Sequence, residues 1–168
     1  IRVILSEISR ITAHLTCVGA SAMELGAFTV FLYMIKARET LYQCIDKLTG
    51  ARVTTSYTRV GGVKADLPEG FDAMLKTALA DVRQVLTDVR GLLDKNRIFV
   101  DRVSGTGVLS KEDALGHGIT GPMLRASGVP YDLRRAAPYL VYDRLDFEVP
   151  TGSAGDNYDR YLVRMAEI

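Results

Sequence analysis

One carboxylate stands out among the side chains that could do chemistry. Glu24 lies in Ala20-Ser-Ala-Met-Glu-Leu-Gly-Ala27, among small and apolar residues where one hydrophobic segment turns into the next. Desolvation in such a setting raises a carboxyl pKa unless a cation or hydrogen-bond donors hold the charged form. From the residues alone two readings stay open: a capping or partly solvated acid at the helix junction, or a carboxylate poised to handle a proton. The other reactive groups form no recognisable constellation. Cys17 and Cys44 stand apart on apolar stretches, without a CxxC pair or nearby His and carboxylates, so no metal site is expected in this chain. Both read as reduced, buried thiols. His14 falls on the polar side of the first helical pattern and His117 sits between two glycines; both read as structural. The Gly105-Thr-Gly107 pair lacks the third glycine of a dinucleotide fingerprint, and there is no phosphate-binding P-loop.

Two further groups are charged. Arg59 opens RVGGVKADLPEGF (Arg59 to Phe71), where Gly61-Gly62 gives a backbone able to take positive φ and lie close to another chain or a cofactor. Its guanidinium has two candidate partners, a carboxylate of a functional site or Asp66 in a structural ion pair. Arg125, Asp132, Arg134 and Arg135 gather in MLRASGVPYDLRR (Met123 to Arg135), and a structural network is expected there.

Helices must position these groups. Apolar residues at Ile4, Ile8, Ile11, Leu15 and Val18 predict a helix over Arg2 to Met23, ending in small residues that permit close approach. A second helix is predicted from Val30 to Leu48, with Thr29 as cap and Gly50 as stop, its inner face carrying Phe31, Met34, Ile35, Leu41, Ile45 and Leu48. The two should form a hairpin around Leu25 to Thr29, with some apolar surface left uncovered near Gly19 to Met23. Arg52 to Val63 reads as strand then loop, and Asp66 and Pro68 as the cap and first turn of the next helix. In that third helix Phe71, Leu75, Ala78, Val82, Val85, Val89 and Leu92 form a near-heptad stripe, which suggests lengthwise packing on the hairpin. A short helix follows Asn96, a turn and short strand span Gly105 to Leu109, and Ser110 caps a brief helix. Gly116 to Pro150 reads as loops and short strands, and a last helix restarts near Gly155.

Composition narrows the class. The 168 residues are 48% hydrophobic and 24% charged, ordinary for a globular protein, and the net charge of +1 offers no attraction to nucleic acid or an anionic membrane. The most apolar run, Leu25 to Ile35, has 11 residues, against roughly 20 for a membrane-spanning helix. The absence of an initiator Met and of clear end signals suggests one internal fragment, residues 1–168, cut from a longer core domain.

Three blocks in order, RVGGVKADLPEGF, MLRASGVPYDLRR and FEVPTGSAGDNYDRY (Phe147 to Tyr161), with IRVILSEISRITAHL and LGAFTVFLYMIKARE before them, resemble the quinone-site (D-type) subunit of respiratory complex I. That family is related to the nickel–iron hydrogenase large subunit. The resemblance implies a mainly α fold, a helical core with short β segments, hydrogenase large-subunit-like. It implies quinone as substrate and no metal bound by this chain. The implied partners are the B-type subunit, which carries the adjacent iron–sulfur cluster, and other subunits of the peripheral arm. The expected place is peripheral, on the cytoplasmic face of the bacterial inner membrane or the mitochondrial matrix side. By the same resemblance Glu24 takes the position of an Asp that holds a quinone-contacting histidine, which precedes Ile1 together with its tyrosine partner. Ala20, Met23 and Phe31 would line the quinone cavity. Thr54 stands where a histidine is common beside the cluster, and threonine does not titrate at neutral pH. Arg59 would point toward that cluster. The alternatives are a role in a hydrogenase-related membrane-bound complex, or a non-redox assembly scaffold.

Overall fold

The computed structural model describes the whole chain, Ile1 to Ile168. It is mainly helical, with eight α-helices and a single two-stranded sheet. Its contacts divide into two compact units, Ile1–Leu92 and Leu93–Ile168.

The first unit is built on a helical hairpin, α1 (Arg2–Glu24) and α2 (Phe28–Thr49). Ile8, Leu15, Val18 and Ala22 of α1 are buried, as are Val30, Met34, Ala37, Leu41 and Cys44 of α2, and the two helices lie against each other. Both stripes follow the helical period, so burying one against the other removes apolar surface from water in a single step. The joint between them is a Schellman turn. Gly26, at φ 93°, donates its N–H to Met23 O at 2.9 Å, and Ala27 N donates to Ala22 O at 2.8 Å. That turn starts α2 at Phe28 with Ala27 as the flanking residue and no side-chain cap. The expected cap, Thr29, is therefore already inside the helix. Gly50 ends α2 in the left-handed conformation, φ 78°, as its position suggested.

Past Gly50 the chain is held by Tyr57, which is buried and donates its hydroxyl to Ala65 O. Only β1 (Thr58–Arg59) and β2 (Gly62–Val63) pair, antiparallel, with Thr58 opposite Val63 and Arg59 opposite Gly62. Gly61 takes φ 86° in the turn, the conformation that a Gly-Gly pair allows. The next helix, α3 (Phe71–Leu93), begins after Gly70 rather than at Asp66. Phe71, Ala78, Val82, Val89 and Leu93 are buried along its stripe, while Leu92 is exposed. Yet α3 makes no backbone approach to α1 or α2 comparable to theirs to each other. The stripe is covered, but without the close backbone approach that joins α1 to α2: a periodic stripe demands cover but does not name the element that gives it.

The second unit is a set of short helices closed by α8. In it α4 (Arg97–Val103), α5 (Lys111–Gly116), α6 (Gly121–Ala126) and α7 (Leu133–Ala136) precede a 3₁₀ turn at Tyr142–Arg144 and α8 (Asn157–Glu167). Helical turns thus replace the short strands expected from Gly116 to Pro150, the expected Ser110-capped helix is present, and Gly105 to Leu109 is a turn without a strand. Asn96 caps α4 by accepting from Phe99 N at 3.2 Å, and Ser110 caps α5 by accepting from Asp113 N at 3.0 Å. Helix α8 packs on α6 and α4, where the Phe99 and Tyr161 rings meet edge to face at 5.1 Å.

The loop before α8 is folded around one carboxylate. Asp159 Oδ2 accepts from the backbone N–H groups of Ser153 at 2.7 Å, Ala154 at 2.6 Å and Gly155 at 3.3 Å. Asp156 caps α8 by accepting from Asp159 N at 2.8 Å and also takes Gly105 N at 2.8 Å. Burial opposes the charge on Asp156, but these donors and the nearby Arg160 outweigh it and hold its carboxyl below the usual range. Space explains the glycine at 152. A β-carbon there would lie 2.6 Å from Ala126 O and 2.6 Å from Asp159 Oδ2. Gly152→Ala should therefore destabilise the chain by about 1–3 kcal/mol, as other overpacked sites do. Gly91→Ala, in α3 with nothing within 4 Å of the added carbon, should be neutral or stabilising by up to about 1 kcal/mol. Urea denaturation of both variants checks this, and equal midpoints would refute the steric account.

Candidate functional site

Glu24 is the last residue of α1. Its side chain is exposed and makes no hydrogen bond or ion pair within the chain. The desolvation expected from its apolar neighbours in sequence does not arise, because the turn carries the side chain away from the packed faces. Of the junction reading, the solvated acid is found and the cap is not. Neither the end of α1 nor the start of α2 uses a side-chain cap, and an acid in the last turn of a helix opposes the macrodipole, a cost of about 0.3–1 kcal/mol.

Around Glu24 the surface is apolar. Ala20 and Met23, on the same end of α1, are half-buried, as is Phe31 one turn into α2. Phe28, Leu32 and Tyr33 are exposed at 56%, 50% and 40%, and the Phe28 and Phe31 rings lie 5.9 Å apart. The uncovered apolar surface expected near Gly19 to Met23 lies mostly on the first turns of α2 instead. Ala20, Met23, Glu24 and Phe31 are thus brought together by one hairpin end.

Thr54 and Arg59 are not part of that group. Both are exposed, and Arg59 Nη1 donates to Ser56 Oγ at 2.9 Å rather than pairing with Asp66. The segment they belong to lines a separate cavity of about 460 Å³ with Arg2, Ser9, Tyr42, Arg52 and Tyr57. Thr12 is the residue nearest the turn that α1 gives to this cavity, and the helix between it and Glu24 is about 18 Å long at the usual rise. The 52–58 segment thus lies toward the open end of the hairpin, away from Glu24, and neither Thr54 nor Arg59 itself lines the cavity.

The cysteines and His14 form no reactive constellation. Burial pushes the Cys44 thiol up, which suppresses its reactivity. Cys17 is exposed, contrary to expectation, because it falls off the Leu15, Val18 and Ala22 stripe. His14, expected on the polar side, is buried beside Leu15. No group of three His, Cys, Asp or Glu side chains is placed to hold a metal ion.

The charged loop of the second unit is a network in which Arg125, Asp132, Arg134 and Glu167 are buried and the Arg135–Asp146 pair is exposed. Arg125 Nε donates to Glu167 Oε1 at 2.6 Å and its Nη1 to Tyr131 O at 2.9 Å. Asp132 accepts two bonds from the Arg134 guanidinium, at 3.0 and 2.7 Å, and one from Arg134 N at 2.9 Å. The Arg134 guanidinium also lies 4.3 Å from the Phe147 ring centre, while Arg135 bonds Asp146 at 3.0 Å. Sequence reasoning had the arginines and Asp132 but missed Glu167, which no local pattern connects to a residue 42 positions earlier.

With this geometry in place, comparison with known proteins is informative. The family described as respiratory-chain NADH dehydrogenase, 49 Kd subunit, matches residues 24–168. The chain belongs to that family. It is 58% identical over 168 residues to a D-type subunit of NADH-quinone oxidoreductase from Anaeromyxobacter dehalogenans (strain 2CP-C), covering all of this chain and 39% of that protein. It is 55% identical to the D-type NADH-quinone oxidoreductase subunit of Myxococcus xanthus (strain DK1622), covering all of this chain and 40% of that one. Identity to a C/D-type subunit of the same enzyme from Aquifex aeolicus (strain VF5) is 48%, over all of this chain and 28% of that protein. The chain thus spans about two-fifths of the length of its D-type relatives. Family membership agrees with the resemblance drawn from the three sequence blocks.

Asp132 gives this family member a defined acid response. Burial would raise its carboxyl, but the Arg134 hydrogen bonds and charge, helped by Arg125, overcome this and lower it to about 2. A carboxylate depressed from the unfolded value of roughly 3.9 contributes stability that is fully present above that value. It is lost as the pH falls from about 4 toward 2. Thermal melts across that window should show a steep loss for the native chain. Asp132→Asn, less stable at neutral pH, should show a flatter profile there, and parallel profiles would remove Asp132 as the cause.

Proposed function

We propose that this chain supplies one wall of the quinone-reduction cavity of an NADH:quinone oxidoreductase, with Glu24 as its proton-handling carboxylate. Family membership makes the activity named for its relatives the natural frame. The observation that carries the site is the placement of Glu24. It is an exposed acid at the wrong end of a helix for the macrodipole, without a partner in the chain, beside apolar Phe28, Phe31 and Leu32. An apolar wall with one polar group suits an apolar ring bearing polar oxygens.

In this reading Ala20, Met23 and Phe31 face the quinone, while Glu24 holds a histidine from outside this chain in one tautomer and stabilises its charged form. The B-type subunit adjoins the chain and carries the iron–sulfur cluster that delivers electrons, near Thr54 and Arg59 at the other end of the hairpin. Quinone is a substrate, and the metal belongs to that partner. No helix is long and apolar enough to cross a membrane, so the assembled complex would provide the membrane contact, on its peripheral arm at the cytoplasmic face or its matrix equivalent.

The charge of Glu24 should matter more than its length. In the assembled enzyme, Glu24→Gln should lower quinone reductase activity by roughly tenfold to a hundredfold, the effect of about 1–3 kcal/mol for a wrongly polarised group in a low-dielectric cavity. Glu24→Asp should keep most of the activity. Steady-state rates at matched assembly levels decide the matter; a Gln variant as active as the native enzyme would leave Glu24 without a catalytic role.

A further inference from the structure

We propose that Gly19 is a positioning residue for the same site, setting the spacing of the α1 and α2 faces that together form its wall through direct helix contact. The inference rests on the quinone-site reading above and deepens it. Gly19 is buried within α1, adjacent to Ala20 and one turn before Met23. A β-carbon at Gly19 would lie 3.0 Å from Met34 Cβ, 3.5 Å from Phe31 Cα and 3.5 Å from Phe31 Cδ2. The obstacle is therefore the body of α2, not the free end of a flexible side chain. Met34 is fully buried and cannot swing away.

An added methyl can be accommodated only if α2 yields by a few tenths of an ångström, because packed interiors transmit such strain rather than absorb it. Phe31 rides on the same face of α2, one turn from Met34, and its ring meets Phe28 at 5.9 Å. Any shift forced at Gly19 thus reaches the aromatic side of the site, while Ala20 and Met23 stay on α1. Glycine also carries a cost inside a helix relative to alanine, through its greater backbone freedom in the unfolded chain. That cost is offset by the close approach, and the approach is located at the level of the candidate site.

The test is kinetic and uses the assembled full-length enzyme. Gly19→Ala should raise the KM for a short-chain quinone about threefold or more while kcat stays within about twofold, the pattern of lost binding complementarity. NADH oxidation with ferricyanide, which bypasses the quinone site, should be unchanged per assembled enzyme. Met34→Val, which thickens the same contact from the other side, should move KM in the same direction. Gly91→Ala serves as the control with no KM change. An unchanged KM in both contact variants, with Phe31→Leu still altering it, would overturn the inference and leave the site reading intact. No effect of Phe31→Leu would instead bring down the site reading itself. If both contact variants merely reduce the amount of assembled enzyme and its KM is native, the contact serves folding alone and the proposal is wrong.

Discussion

Everything proposed for the first unit depends on how closely two helices can approach. The α1–α2 hairpin has a polar tie as well as an apolar seam: Arg38 Nη1 donates to Thr16 Oγ1 at 3.2 Å, and the Arg38 guanidinium carbon lies 5.1 Å from the Tyr42 ring centre. The seam sets the separation, and a glycine facing a β-carbon lets the two backbones come closer than a pair of larger residues would. The Schellman turn then fixes where each helix ends, so the position of Glu24 follows from Gly26 and not from any contact of its own. A carboxylate held by backbone geometry alone is free to serve a group that arrives from outside.

The second unit solves a different problem. It has little continuous helix, so many backbone N–H groups lack an intrahelical partner. Carboxylates supply the acceptors: Asp156 and Asp159 between them take the amides of Gly105, Ser153, Ala154, Gly155 and Asp159. The buried arginines are matched in the same way by Asp132 and Glu167. Such groups stabilise only while every member is paired. Gly152 is the glycine this packing requires, since a β-carbon there would meet Asp159 Oδ2, whereas Gly105, Gly118 and Gly121 face open space and take positive φ.

What could be read from the sequence follows from the range of the signal. The extent of α1, the stop at Gly50, the short helix after Asn96 and the cap at Ser110 are local, and they were legible. Thr29 misled because a good capping residue lay one position inside a helix that the preceding turn had already started. Asp66 and Pro68 misled in the opposite sense, lying a few residues before the helix begins. The stripe on α3 gave its buried face and nothing about its neighbour. Between Gly116 and Pro150 the dense Gly and Pro punctuation hid single helical turns, which are too short to show a period. Grouping of the candidate residues was legible only in part. Ala20, Met23, Glu24 and Phe31 converge because the hairpin turn is short, whereas the course of Arg52 to Val63 depends on Tyr57 reaching Ala65, which no spacing announces.

The order in which the two units can become complete differs. The hairpin of the first unit needs only the closure of the short turn from Leu25 to Ala27, so its seam can form as soon as α2 has been synthesised. The second unit is closed by α8. Asp94 Oδ1 waits for Tyr161, 67 residues later, and Arg125 waits for Glu167, 42 residues later. Until α8 emerges from the ribosome, Arg125 has no carboxylate partner from that helix and Phe99 has no ring to meet. During synthesis the second unit therefore spends longer open than the first, and its exposed arginine and aromatic groups are covered together, in the one step that brings α8 home.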